Sequence, residues 1–175
     1  MTTLSHRPTT PDTDSTLFRD AFRSHPAGLA VITAAGPDGP IGLTASSVAS
    51  VSVDPPSLLF SLSGLTTAPL LAAADTVLVH LMDAGQADLV HAFATPGTTR
   101  FGADMEWEYL PTGEPLLRRA AWALRCSVAE RVDVGSSRVV IATVLEVRRQ
   151  DGDGGPLVYH DRTYHSLTED STLAL

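Results

Sequence analysis

Short apolar runs, each closed off by glycine or proline, set the strongest limit on how this chain can fold. GLAVITAA (28–35) runs into GPDGP (36–40), and 41–53 follows with Ala49, Val51 and Val53 alternating with Ser50 and Ser52. Pro55-Pro56 stops that segment, and SLLFSLS (57–63) begins the next. Strand-length runs bounded by turn residues predict a buried strand, a hairpin turn, a half-buried returning strand over 41–53 and a further strand. VLVHLM (77–82), residues 120–130 and 138–148, and PLVYH (156–160) after the turn DGDGG (151–155) read as strands too. Helices are fewer and short. One starts at Asp14 or Ser15, carries Leu17, Phe18, Ala21 and Phe22 on one face, and ends at Pro26. Two more fit TTAPLLAAAD (66–75) and AGQADLVHAFA (84–94). Residues 95–114, with glycine, proline, Phe101, Trp107 and Tyr109, read as an ordered loop. A doubly wound sheet needs a helix after nearly every strand, and this order does not supply one. The expectation is a mainly β domain over 14–170, a barrel or sandwich with short helical insertions, behind a flexible Thr- and Pro-rich tail over 1–13.

Charge removes several classes of function. Twelve basic residues stand against 20 acidic ones, a formal net charge of −8, which argues against nucleic acid or an anionic membrane as partner. The single cysteine, Cys126, excludes an internal disulfide and any multi-cysteine metal site, and its apolar surroundings suit a small core side chain. The first residues lack a basic stretch followed by an apolar one, and no apolar run approaches the roughly 20 residues that span a bilayer. A cytoplasmic protein is expected.

The familiar catalytic signatures are missing: the chain has no glycine-rich dinucleotide fingerprint, no P-loop and no nucleophile-elbow serine. His160 and His165 in YHDRTYH suggest a metal pair, but DRT reads as a hairpin turn and no third ligand is near, so no metal site is expected. Hydroxyls are more informative. Thr44, Ser46 and Ser47 crowd one segment, Ser61 and Ser63 end the next, and Thr66-Thr67 opens a short helix whose free N–H groups favour an anion. Arg100 in TTRFG offers a cation, and the small residues at 44–47 would let a flat ring approach the backbone. From the residues alone, solvated strand hydroxyls beside an ordinary helix cap account for this about as well.

The order of segments adds a further reading. PAGLAVITA, GLTASSVASVSVDPPSLLFSLS, TTAPLLAA, VLVHLM, a helix ending in HAFA, RFG, AAWALRCSVAE, VGSSRVVIATV and PLVYHDRTYHSL, spanning roughly 17–168, resemble the flavin reductase-like family with its FMN-binding split barrel. The resemblance implies an antiparallel split barrel of Greek-key type, a homodimer, bound FMN (or FAD), NADH or NADPH as hydride donor, and a partner monooxygenase that receives reduced flavin. It implies that the flavin ring lies along Leu43, Thr44, Ala45, Ser46 and Ser47. It places the phosphate at Ser61, Leu62, Ser63, Thr66, Thr67 and Arg100, with Phe93 and Phe101 closing the pocket. The flavin carries the chemistry, so no catalytic dyad is expected. Where the family commonly has Gly-Asp-His, this chain reads Gly135-Ser136-Ser137, so the nicotinamide contacts fall to Ser137, His160, Tyr164 or His165. Two alternatives follow from that substitution: a split-barrel flavoprotein with another redox step or donor, or a non-catalytic ligand-binding dimer.

Overall fold

Glycine sets the first turn. Gly36 pairs with Gly39, whose φ of +133° is a conformation that L side chains rarely adopt, and the GPDGP hairpin closes there as the sequence predicts. The computed structural model describes residues 14–63, 67–150 and 154–173; the expected tail, and Thr66 among the candidate site residues, lie outside them. Among the described residues twelve strands follow in order: β1 (Ala27–Gly28), β2 (Ala30–Gly36), β3 (Gly39–Ala45), β4 (Ala49–Val53), β5 (Pro56–Ser63), β6 (Thr76–Leu81), β7 (Trp107–Tyr109), β8 (Pro115–Leu117), β9 (Trp122–Val134), β10 (Ser137–Arg149), β11 (Leu157–His160) and β12 (Thr163–Ser166). The helices are α1 (Ser15–Arg23), α2 (Thr67–Ala73) and α3 (Ala87–Ala94).

Every strand pairing is antiparallel. Seven strands form the main sheet in the order β3-β2-β6-β9-β10-β5-β4, three form a second sheet, β1-β11-β12, and β7 and β8 make a ribbon. The ladder does not close on itself: β3 and β4 are both edges. One side chain spans part of the gap. The Ser47 hydroxyl donates to the Ser61 carbonyl (3.2 Å) and accepts from the Ser61 N–H (2.9 Å), standing in for a neighbouring strand.

Both faces of β2 are covered, which is why GLAVITAA reads as one continuous apolar run. Ala30, Ile32 and Ala34 join Phe60, Val79, Cys126 and Val140 in one cluster. Leu29 and Val31 face the other way, onto Leu89, Val90 and Phe93 of α3. Cys126 lies in that core, and burial pushes its thiol up to about 12, so it stays protonated and inert.

Three expectations are corrected. Residues 41–53 form two strands rather than one: β3 ends at Ala45, and β4 pairs only with β5 at the far edge of the sheet. Hydroxyl hydrogen bonds at Thr44 and Ser47 take the chain away from β3 before an alternating apolar pattern is established. The Ala49–Val51–Val53 face is exposed, Val53 at 90%, rather than half-buried. The 95–114 stretch is not all loop, because β7 pairs with β8 and the left-handed backbone at Phe101 (φ 61°) and Glu106 (φ 48°) redirects the chain into that ribbon.

α1 starts where expected, its Asp14 carboxylate accepting from Thr16 N–H (2.8 Å). Its apolar face is largely uncovered among the described residues: Leu17, Phe18 and Phe22 are 57–68% exposed. His160 and His165 are diagonal neighbours on the β11–β12 hairpin, opposite Thr163 and Val158 respectively, with ring centroids 5.8 Å apart. No group of three His, Cys, Asp or Glu side chains placed to hold a metal occurs among the described residues.

Candidate flavin site

Arg100 stands in the loop after α3 and ties three segments together. Its Nη1 donates to the Gly42 carbonyl (3.0 Å) and to Thr67 Oγ1 (3.3 Å), and its Nη2 donates to the Thr95 carbonyl (3.3 Å). All three acceptors are neutral. Among the described residues no carboxylate pairs with this guanidinium, and its Nε is buried without a partner. A part-buried cation lacking a counter-charge is costly alone and favourable beside an anion. That observation shows that the residues here fit an anionic tail.

β3 reaches this point because Gly42 lies flat on Phe93. A Cβ at position 42 would sit 2.7 Å from the Phe93 ring and 3.1 Å from the Ile32 carbonyl, so no side chain fits. Phe93 meets Phe101 edge-on at 5.1 Å, Phe101 meets Trp107 at 5.2 Å, and Trp107 Nε1 donates to the Phe101 carbonyl (2.8 Å).

The remaining candidates divide by what they can still offer. Ala45, Leu62 and Phe93 are buried in the core, so Ala45 and Leu62 present backbone rather than side chain. Thr44 is committed to α3 through the Val90 carbonyl (2.7 Å), and Ser47 to Ser61. Ser46 and Ser63 are exposed, and Leu43 and Ser61 partly so.

A cleft of about 890 Å³ opens over Ser46, Ser47 and Ser61. Tyr159 lines it, as do Arg19, Arg23 and Arg162. The arginines were missed in the sequence. The signal was there in STLFRDAFR, whose helical spacing puts 19, 20 and 23 opposite the apolar 17, 18 and 22.

The candidate nicotinamide contacts scatter. Ser137 pairs with Ser63 at the start of β10 and lines a separate cleft of about 380 Å³ with Ala68, Pro69 and Ala72. Tyr164 packs on Tyr159 at 5.4 Å, and burial together with that neighbour raises its phenol above the ordinary value. His160 lies by a third, shallow cleft with Asp20, Arg23 and Asp161, while His165 is exposed on β12.

Residues 22–168 match the model of the flavin reductase like domain. The chain belongs to the flavin reductase-like family. Among its curated relatives is an NADH:FMN oxidoreductase of Rhodococcus qingshengii, 35% identical over 155 residues that make up 86% of this chain and 81% of that one. The crystal structure of a flavin reductase domain protein from an Arthrobacter species superposes with a TM-score of 0.83 at 32% identity, covering 89% of this flavin reductase-like chain and 96% of the other. The styrene monooxygenase flavin reductase of Pseudomonas putida gives 0.76 at 26% identity, covering 90% and 99%.

Proposed function

We propose that this flavin reductase-like protein is an NAD(P)H-dependent FMN reductase that supplies reduced flavin to a partner monooxygenase. The uncompensated Arg100 guanidinium beside Thr67 carries the reading. It lies at one end of a run of candidate residues whose other end, Ser46 and Ser47, opens into the large cleft. Arg100 and the Thr67 hydroxyl hold the phosphate, with Ser61, Leu62 and Ser63 beside them. The backbone from Leu43 to Ser47 lies along the ring, and Phe93 and Phe101 wall it. Bound FMN, or FAD in its place, supplies a ring that accepts hydride from a dihydronicotinamide. The chain's own work is to orient two ligands and keep water from between them, which needs no nucleophile or acid–base dyad. The monooxygenase partner is supported by the reductases of two-component systems among its structural relatives.

An absorbance spectrum with FMN, followed by anaerobic NADH and then NADPH, tests the reading. Bleaching of the flavin band is expected, and a protein that neither quenches FMN fluorescence nor oxidises NADH with FMN added would overturn it. A second reading has one observation behind it: Ser137, at the family's histidine place, lies on a different cleft from Ser46 and Ser47. A yellow protein inert to both nicotinamides would favour a flavoprotein with another donor.

The same reading includes a homodimer in the cytoplasm. The exposed Leu17, Phe18 and Phe22 of α1, with Val51 and Val53 on the unpaired edge of β4, form apolar surface that water disfavours. Val53→Lys is expected to shift the chain toward monomer in sedimentation equilibrium; a wild-type chain that already sediments as a monomer refutes the dimer. No helix among the described residues is long and apolar enough to cross a membrane.

A further inference from the structure

The large cleft covers only part of the candidate flavin site: Ser46, Ser47 and, from the phosphate-side strand, Ser61 line it, whereas Thr67 and Arg100 do not. α1 contributes Arg19, Asp20, Phe22 and Arg23 to its lining, and the tip of the β11–β12 hairpin contributes Arg162. That tip is a tight turn with Asp161 and Arg162 both left-handed (φ 46° and 62°). It is fastened to α1, since the Asp161 N–H donates to the Arg23 carbonyl (3.1 Å). One framework therefore carries all three arginines.

The three guanidiniums are not equivalent. Arg23 is occupied, its Nε 2.6 Å from Asp161 Oδ1 and its Nη1 3.9 Å from Asp20 Oδ1. Arg19 and Arg162 make no ion pair among the described residues. In a chain of net charge −8, two unpaired guanidiniums on one cleft mark a place for an anionic ligand, and their planar forks suit phosphate oxygens. The cleft's volume is in the range of small-molecule sites. Asp20 on the same wall opposes an anion, so binding is weak and readily reversed, as suits a ligand that enters and leaves at every turnover.

We propose that Arg19 and Arg162 hold the diphosphate of a nicotinamide dinucleotide while its nicotinamide end enters over Ser46 and Ser47. This rests on the flavin reductase reading, and the test separates the two. Arg19→Gln/Arg162→Gln is expected to raise KM about tenfold for NADH and NADPH alike, leaving kcat and the FMN dissociation constant unchanged. ADP-ribose, which carries the diphosphate but no redox group, is expected to bind the wild-type chain in a calorimetric titration and to bind the double variant about tenfold less tightly. A KM increase confined to NADPH would overturn the diphosphate assignment, since NADH carries the same diphosphate. Unchanged KM values, a wild type that ignores ADP-ribose, or a loss of FMN affinity instead would overturn the proposal. A wild type that binds ADP-ribose yet oxidises neither nicotinamide leaves the anion site standing while the reductase reading fails.

Discussion

FMN affinity is expected to fall by about 2–4 kcal/mol, roughly 30- to 1000-fold, when Arg100 and Thr67 are both replaced by alanine. The magnitude comes from removing two proposed hydrogen bonds to a charged group, one of them from a guanidinium that has no carboxylate partner among the described residues. Arg100 also fastens the Gly42 and Thr95 carbonyls, so a control must separate binding from local collapse. Arg100→Lys retains the charge while losing the fork geometry, and it should recover part of the affinity. Flavin fluorescence quenching gives the dissociation constants and thermal melting checks the fold. Equal FMN affinity for wild type and double variant defeats the phosphate assignment.

Acid should destabilise this protein through one buried imidazole. His80 on β6 is fully buried, its Nδ1 3.0 Å from the Val31 carbonyl and its Nε2 accepting the Leu117 N–H at 3.1 Å. The Leu117 donor assigns the proton to Nδ1, so the neutral ring satisfies one strand on each side. Burial pushes its pKa from 6.5 down to about 4, against the smaller opposing effect of the Val31 carbonyl. Above pH 6.5 the ring is neutral in both folded and unfolded chains, and the stabilisation is fully present. Between about 6.5 and 4 the unfolded chain takes up a proton that the folded one refuses, so stability falls as pH falls, by roughly 3 kcal/mol in all. Carboxylates titrate nearby, so the measurement is a difference. Urea unfolding at pH 7 and pH 4.5 should show a steeper loss for wild type than for His80→Gln, and parallel losses would exclude this role.

The sequence reading succeeded where local chemistry and tertiary packing agree. Gly36 and Gly39 fix a turn that only one backbone geometry satisfies, and the apolar run of β2 is buried on both faces, as its continuity implies. It failed where side-chain hydrogen bonds decide the path. Nothing in TASSVAS states that Ser47 reaches across to Ser61 and sends β4 to the opposite edge, because that bond joins residues 14 apart. The alternation of Val51 and Val53 correctly marked a strand but not a covered face, since period two says which side chains point together and not what lies over them. Thr67 and Arg100 were singled out by type, a hydroxyl at a helix start and a lone arginine in TTRFG, and the fold brings their side chains together at 3.3 Å. The three arginines of the cleft were not, since each is ordinary in its own segment and only the fold gathers them.

The Ser47–Ser61 contact has one more consequence. A strand neighbour would mask the Ser61 amide and carbonyl through a whole ladder of bonds, whereas here a single hydroxyl does so. A single turn about the Cα–Cβ axis of Ser47 unmasks both groups together and leaves every ladder intact. The sheet thus keeps a donor and an acceptor in reserve on the wall of the large cleft.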